Sequence, residues 1–210
     1  MTYTIRRFAI IGTLLLTGTL VGQSLAGEFN PTLSIGDTAP AWTDLEGTDG
    51  KKHSLTDLKE AKAVVVLFTG NTCPYAVEYE ERTRKLVERF ADEKKVALVA
   101  INSNTGKQDS LEAMRERAEE QKFNFPYLKD ADQQVVQKFG ATRTPEFLVL
   151  DADRKVVYMG ALDDSTDPEK VTAQHVANAI EATLAGKSPE VTETPPIGCN
   201  IRLQRRRSLP

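Results

Sequence analysis

The chain has 210 residues, of which 40% are hydrophobic and 27% charged, and a formal net charge of −3. These proportions fit an ordinary globular protein and exclude a disordered chain or a polytopic membrane protein. The negative balance argues against a phosphate-binding surface, and hence against a nucleic-acid partner. Two cysteines and two histidines are too few for a multi-cysteine zinc site.

Arg6 and Arg7 precede an uncharged run over 8–25 that ends in Ser24-Leu25-Ala26. A basic start, an apolar middle and a small-x-small exit predict a cleaved secretory leader over 1–26, followed by a linker over 27–33. A membrane anchor is the alternative, and the Arg pair leaves both the general and the twin-arginine routes open. An exported chain meets an oxidising compartment, where thiols become disulfides.

The stretch 42–55, with Asp49-Gly50 at its middle, predicts a hairpin. Residues 63–68 (AVVVLF) are continuously apolar, as suits a strand buried on both faces of a parallel sheet. After Cys73-Pro74 the period changes: Tyr79, Thr83, Leu86, Val87 and Phe90 share one helical stripe. Glu78/Arg82, Glu80/Arg84 and Glu81/Lys85 stand as pairs four apart. A second buried strand is expected over 96–101. Helices follow over 110–123, with Leu111, Met114 and Ala118 inward, and over 133–139, stopped by Gly140. Residues 147–150 and 155–158 read as strands joined by Asp151-Ala152-Asp153, a loop short enough to make them antiparallel. A last helix is expected over 168–185, burying Val176, Ile180 and Leu184. The sum is an α/β layered domain over 34–187. From 188 to 210 the chain turns to Pro, Thr and Glu and ends in arginines, which predicts an extended or flexible tail. Its Arg202, Arg205, Arg206 and Arg207 could touch an anionic membrane surface, but a solvated terminus accounts for them.

Cys73 sits between a buried strand and a long helix, and Pro74 suits the first helical position, where its missing N–H costs nothing. That places Cys73 at the N-cap, where free backbone N–H groups and the helix dipole favour the nucleophilic thiolate. The carboxyl edge of a parallel strand is also where α/β proteins place ligands. An inert, packed cysteine is the plain alternative.

Three segments together identify a resemblance. Residues 35–58 (IGDTAPAWTDLEGTDGKKHSLTDL) resemble the opening hairpin of the redoxins, the peroxiredoxin-like branch of the thioredoxin-like superfamily. NTCPYAVEYEER resembles their active-site turn and helix. Residues 142–160 (TRTPEFLVLDADRKVVYMG) resemble the segment carrying the superfamily's cis-proline, here Pro145. The resemblance implies a thioredoxin-like fold: a central mixed β-sheet flanked by helices, with an N-terminal β-hairpin extension. It implies that Cys73 is catalytic, flanked by Thr72 and Pro74. It implies also that the Thr144 backbone stays free to pair with an incoming peptide or mixed disulfide, while Pro145 shapes the substrate groove. There are departures. Ala76 stands where thioredoxins carry a second cysteine, Thr72 replaces their Trp, and Gly70 stands where peroxiredoxins carry a hydroxyl residue. Arg143 is the candidate for their peroxide-orienting arginine.

Turnover needs a second sulfur, and Cys199 is the internal candidate. The twelve steps from Lys187 span about 40 Å extended, against a radius of gyration of roughly 15 Å for such a domain. Cys199 is thus a resolving thiol, a permanent staple to Cys73, or unpaired or bonded to another chain; the resemblance implies the first, since tail cysteines resolve in some peroxiredoxins. His53 and His175 have no sequence-local partners and read as surface residues, and a copper-carrier reading lacks its paired cysteine motif. Trp42, Phe123, Phe125 and Tyr127 read as core. Glu78 and Glu80 read as a solvated helix face, and Tyr75 as a neighbour that shapes access. The expectation is an exported thiol oxidoreductase that reduces a peroxide or exchanges with a disulfide. It takes electrons from an external thiol donor and needs no metal or organic cofactor. A non-catalytic scaffold domain is the alternative.

Overall fold

The computed structural model describes residues 26–91 and 95–204. Nearly all of the expected leader, and Arg205, Arg206 and Arg207 of the tail, lie outside these residues. Among the described residues, seven strands form one mixed sheet, and two more make a separate pair. β1 (Leu45–Gly47) and β2 (Lys52–His53) make the expected hairpin, in which Leu45 faces His53; Leu55 falls in a short 3-10 turn after it. β3 (Ala63–Thr69) is central. It runs parallel to β4 (Val96–Asn102), which in turn runs parallel to β5 (Tyr127–Lys129). Two antiparallel strands cover the other flank of β3: β7 (Glu146–Leu150), then β8 (Val156–Gly160). The separate pair is β6 (Arg143–Thr144) with β9 (Cys199–Asn200).

Side chains alternate across a strand, so β3 feeds two cores. Val64, Val66 and Phe68 meet Trp42, Ile101, Leu148 and Phe139 on one face. Val65 and Leu67 meet Tyr79, Leu86, Met114, Tyr158 and Ile180 on the other. The second face is covered by α1 (Pro74–Arg89), α2 (Leu111–Glu120) and α4 (His175–Leu184). The first is covered by α3 (Gln134–Phe139) and the N-terminal segment. This is the thioredoxin-like α/β layering that the resemblance implied.

Several local expectations change. The helix expected over 168–185 begins only at His175. Before it, Asp167 caps a 3-10 turn (Pro168–Lys170), and Val171 is extended, while the Asp164 carboxylate holds the Thr172 N–H at 2.9 Å. Of the three charge pairs expected along α1, Glu81–Lys85 forms at 2.7 Å. Glu80 is instead drawn into a two-bond pair with Arg117 of α2, so it is not a solvated group. Arg82 turns to Asp163 at 2.6 Å and to the carbonyls of Ser165 and Thr166. His53 does have a local partner, since its Nε2 lies 3.0 Å from Asp49. Among the described residues, no helix is long and apolar enough to cross a membrane.

The tail departs most. It is extended but docked over its described length. Met159 N–H donates to the Thr192 carbonyl, Thr194 N–H donates back to the Met159 carbonyl, and Thr194 Oγ1 bonds the Tyr158 hydroxyl and accepts from Ala161 N–H. Pro195 and Pro196 withhold two donors and break the pairing. Pairing resumes at β9.

Candidate active site

Cys73 occupies the N-cap of α1 with Pro74 at the first helical position, as the Cys-Pro order predicts. Its residue is only 3% exposed. The thiol donates to the Thr144 carbonyl at 2.8 Å, and the Thr144-Pro145 peptide is cis, so the Cys-Pro turn and the cis-proline segment meet at one sulfur.

The Thr144 backbone is not free. Its register partner is Cys199, and that of Arg143 is Asn200. The docked tail brings the second sulfur to the first across most of the chain. Burial pushes the Cys73 thiol up. Hydrogen bonds from the Cys199 thiol and the Thr144 side chain, and the N–H groups of Ala76 and Cys199, outweigh it and hold Cys73 below its ordinary value. The Ala76 N–H acts without closing a full capping bond. The Cys199 thiol, as donor to that sulfur, is pushed up to about 11. The two shifts run in opposite directions, Cys73 down and Cys199 up, with the Cys199 thiol as donor.

Arg143 does not face Cys73 as a peroxide-orienting arginine would. Its guanidinium donates to the Gly198 carbonyl at 3.0 Å, and its charge acts on Cys199. The missing hydroxyl at Gly70 also has a steric cause. A Cβ there would lie 2.1 Å from the Asn104 amide nitrogen and 3.2 Å from Asp109 Oδ1. Thr72 supplies a hydroxyl instead, but turned away, donating to Asp109 Oδ2 at 3.1 Å.

Two buried acids were not singled out from sequence, and a third buried group, Tyr127, does more than expected. Asp109, 2% exposed, accepts from Asn71 N–H at 2.8 Å, from Thr72 and from the Asn102 amide at 2.9 Å. It thereby locks the turn before Cys73. Tyr127 is core, as expected, but its hydroxyl also donates to Asn71 and accepts from Asn102. Glu146, next to Pro145, accepts Thr142 and Arg143 N–H at 2.8 and 3.0 Å, which fixes the loop into β6; burial pushes its carboxyl up to about 7. The signals were a polar run, NSNTG, at the carboxyl end of a parallel strand, and one acid opening an apolar strand.

Between the tail and the 104–109 loop lies a cleft of about 530 Å³, lined by Thr72, Cys73, Asn104, Asp109, Cys199 and Arg202. Lys129 fixes the loop, donating to the carbonyls of Asn104 and Asp109. Among the described residues, no cluster of three His, Cys, Asp or Glu is placed to hold a metal. Two adjacent thiols of unequal acidity can exchange with an S–S or O–O bond and then close on each other.

Residues 34–177 match the family model described as Redoxin. A thiol-disulfide oxidoreductase, ResA, of Bacillus subtilis (strain 168) is 29% identical over 140 residues, spanning 66% of this chain and 73% of that protein. The crystal structure of an uncharacterized conserved protein from Geobacillus kaustophilus superimposes with a TM-score of 0.78 at 34% identity, over 85% of this chain and 96% of that one. A hypothetical protein from Sinorhizobium meliloti 1021 gives 0.77 at 33%, over 84% and 98%.

Proposed function

The chain belongs to the Redoxin family and is a thiol-dependent oxidoreductase, and from that premise we propose that it works as a two-cysteine enzyme cycling through a Cys73–Cys199 disulfide. One observation carries the reading: the tail strand sets Cys199 opposite Thr144, whose carbonyl holds the Cys73 thiol. Ionised Cys73 attacks the oxidant. With a disulfide, a new S–S bond forms on Cys73 and one substrate thiolate leaves with the electron pair. With a hydroperoxide, the O–O bond breaks, Cys73 becomes a sulfenic acid and an alcohol or water leaves. Cys199 then attacks Cys73, expelling the second thiol or water, and both electrons lost to the substrate have come from the two sulfurs. An external thiol donor reduces the bond and closes the cycle, so neither a metal nor an organic cofactor has a step to perform.

Thr72, through Asp109, and Pro74 hold the turn. Thr144 lines the wall that faces it, with cis-Pro145 next in the chain, and Arg143 holds the tail strand at Gly198. The reading includes export, supported by the basic, apolar and small-residue order of 1–26. N-terminal sequencing of the protein from its host is expected to begin at Gly27; an intact Met1 start would remove that part of the proposal.

The test is one turnover. The reduced chain receives one equivalent of oxidant, is quenched with an alkylating tag and mapped by mass. The expected product is a Cys73–Cys199 bond within one chain, and Cys199→Ser stops with the adduct on Cys73. A bond only between chains, or first attack at Cys199 in Cys73→Ser at the parent rate, overturns the reading.

A further inference from the structure

An extended polypeptide that approached Cys73 would pair with the backbone edge before Pro145, adding a strand there. In this protein that edge is occupied by the chain itself. Cys199 faces Thr144 and Asn200 faces Arg143 in antiparallel register, and Ile201 N–H donates to the Thr142 carbonyl at 2.9 Å. The Arg143 guanidinium holds the Gly198 carbonyl. Beyond the strand, the Gln133 amide donates to the Arg202 carbonyl at 3.0 Å, and its oxygen accepts Gln204 N–H at 2.7 Å. The tail is tied on both sides of the thiols, since Thr194 anchors it upstream.

What stays open is the cleft of about 530 Å³ beside the sulfurs, walled by the tail and by Asn104 and Asp109. That volume suits a small ligand. It does not suit an extended chain carrying side chains on both sides, whose backbone partners are already taken. Gly198 makes the closure possible. A Cβ there would lie 2.0 Å from the Thr144 oxygen and 2.6 Å from its carbonyl carbon, both backbone atoms that cannot swing aside.

We propose that the tail strand, keyed by Gly198, sets substrate class: while docked, it admits low-molecular-weight hydroperoxides and disulfides to Cys73 and turns away polypeptide disulfides. This rests on Cys73 being the attacking thiol, as read above. The first step is unchanged: the Cys73 sulfur forms a bond to sulfur or oxygen of the small oxidant, whose S–S or O–O bond breaks and whose other half leaves with the electron pair.

The test uses the full chain carrying Cys199→Ser, so that the first adduct on Cys73 cannot be resolved. Hydrogen peroxide and hydroxyethyl disulfide are the small probes and separate the two small oxidants; disulfide-bonded insulin is the polypeptide probe. Rates of Cys73 modification are read by intact mass after acid quench. Rates are then compared with those of two further chains, adding Gly198→Val or Gln133→Asn, and hydrogen exchange at Ile201 N–H reports how far each releases the tail. The disulfide probes meet the same thiolate in any one chain, so their ratio is insensitive to its ionisation. The expected result is a small-probe adduct in all three chains and an insulin-to-small ratio that rises about tenfold or more with release, a factor equal to losing one or two strand hydrogen bonds. Insulin reacting as fast as the small disulfide in the docked chain overturns the proposal, as does an unchanged ratio in a chain whose tail exchange shows release. If no probe modifies Cys73 in any chain, it is the attacking-thiol reading that has failed.

Discussion

Closing the Cys73–Cys199 bond ties a loop of about 125 residues. In the chain-entropy treatment that removes enough freedom from the unfolded state to stabilise the native chain by about 5 kcal/mol. The native side of the balance is favourable, because β9 already stands against β6 and sets Cys199 in register with Thr144, whose carbonyl holds the Cys73 thiol. A domain of this size shifts its melting temperature by about 2 to 4 °C per kcal/mol, so oxidation should raise it by about 10 to 20 °C, an upper bound if the reduced unfolded chain is compact. Scanning calorimetry of the oxidised and the reduced chain at one pH reads this directly, with Cys199→Ser as the chain that should not respond. An oxidised form that melts at or below the reduced one, with the Cys73–Cys199 bond verified by peptide mapping, would refute the reasoning. The docked tail would then hold the sulfurs near each other but not in a bonding arrangement.

Cys199→Ala removes the side-chain donor that lowers Cys73, so the Cys73 thiol should titrate higher; a pH profile of alkylation reads this, and an unmoved profile would place the cause elsewhere. Asp109→Ala strands one N–H of the buried Asn102 amide and takes the acceptor from the half-buried Asn71 N–H. It should cost about 1–3 kcal/mol in urea unfolding and slow Cys73 modification, whereas a loss of stability with an unchanged rate would mean that Asp109 holds the fold but not the turn. Glu146 has an ordinary value near 4.5 and a folded value of about 7. Between the two, the folded chain keeps a proton that the unfolded chain has released, so stability should fall as pH rises through that window, by up to about 3 kcal/mol. Glu146→Gln, which can still accept the two N–H bonds, should flatten the slope, and an equal slope in both chains would assign it to other groups.

The central sheet was readable because β3 and β4 are unbroken apolar runs, and only a strand covered on both faces uses Val-Val-Val-Leu-Phe in sequence. Cys73 was readable for a local reason: N-cap chemistry is written in adjacent residues. β5 was missed because three residues, Tyr127–Lys129, show no period, and their strand character comes from β4 beside them. The helix over 168–185 was overdrawn because its apolar stripe says nothing about Asp164 and Asp167, whose carboxylates hold the backbone in turns. The Glu80 and Arg82 pairs were misassigned for the same reason, since spacing along one helix cannot weigh a partner such as Arg117 or Asp163 from another element. The tail is the largest case. Its composition reads as flexible, and its order comes from bonds to Gln133, Thr142, Arg143, Thr144, Tyr158 and Met159, all distant in the chain.

That the two sulfurs form a working redox couple is tested most directly by the reduction potential of the Cys73–Cys199 pair, measured by equilibration in graded thiol–disulfide buffers, quenching and mass mapping. The account predicts one two-electron transition between these two residues at a potential above about −300 mV, within reach of thiol donors. A potential well below about −300 mV, which marks a structural bond, or the absence of any bond between Cys73 and Cys199 across the range, would contradict it.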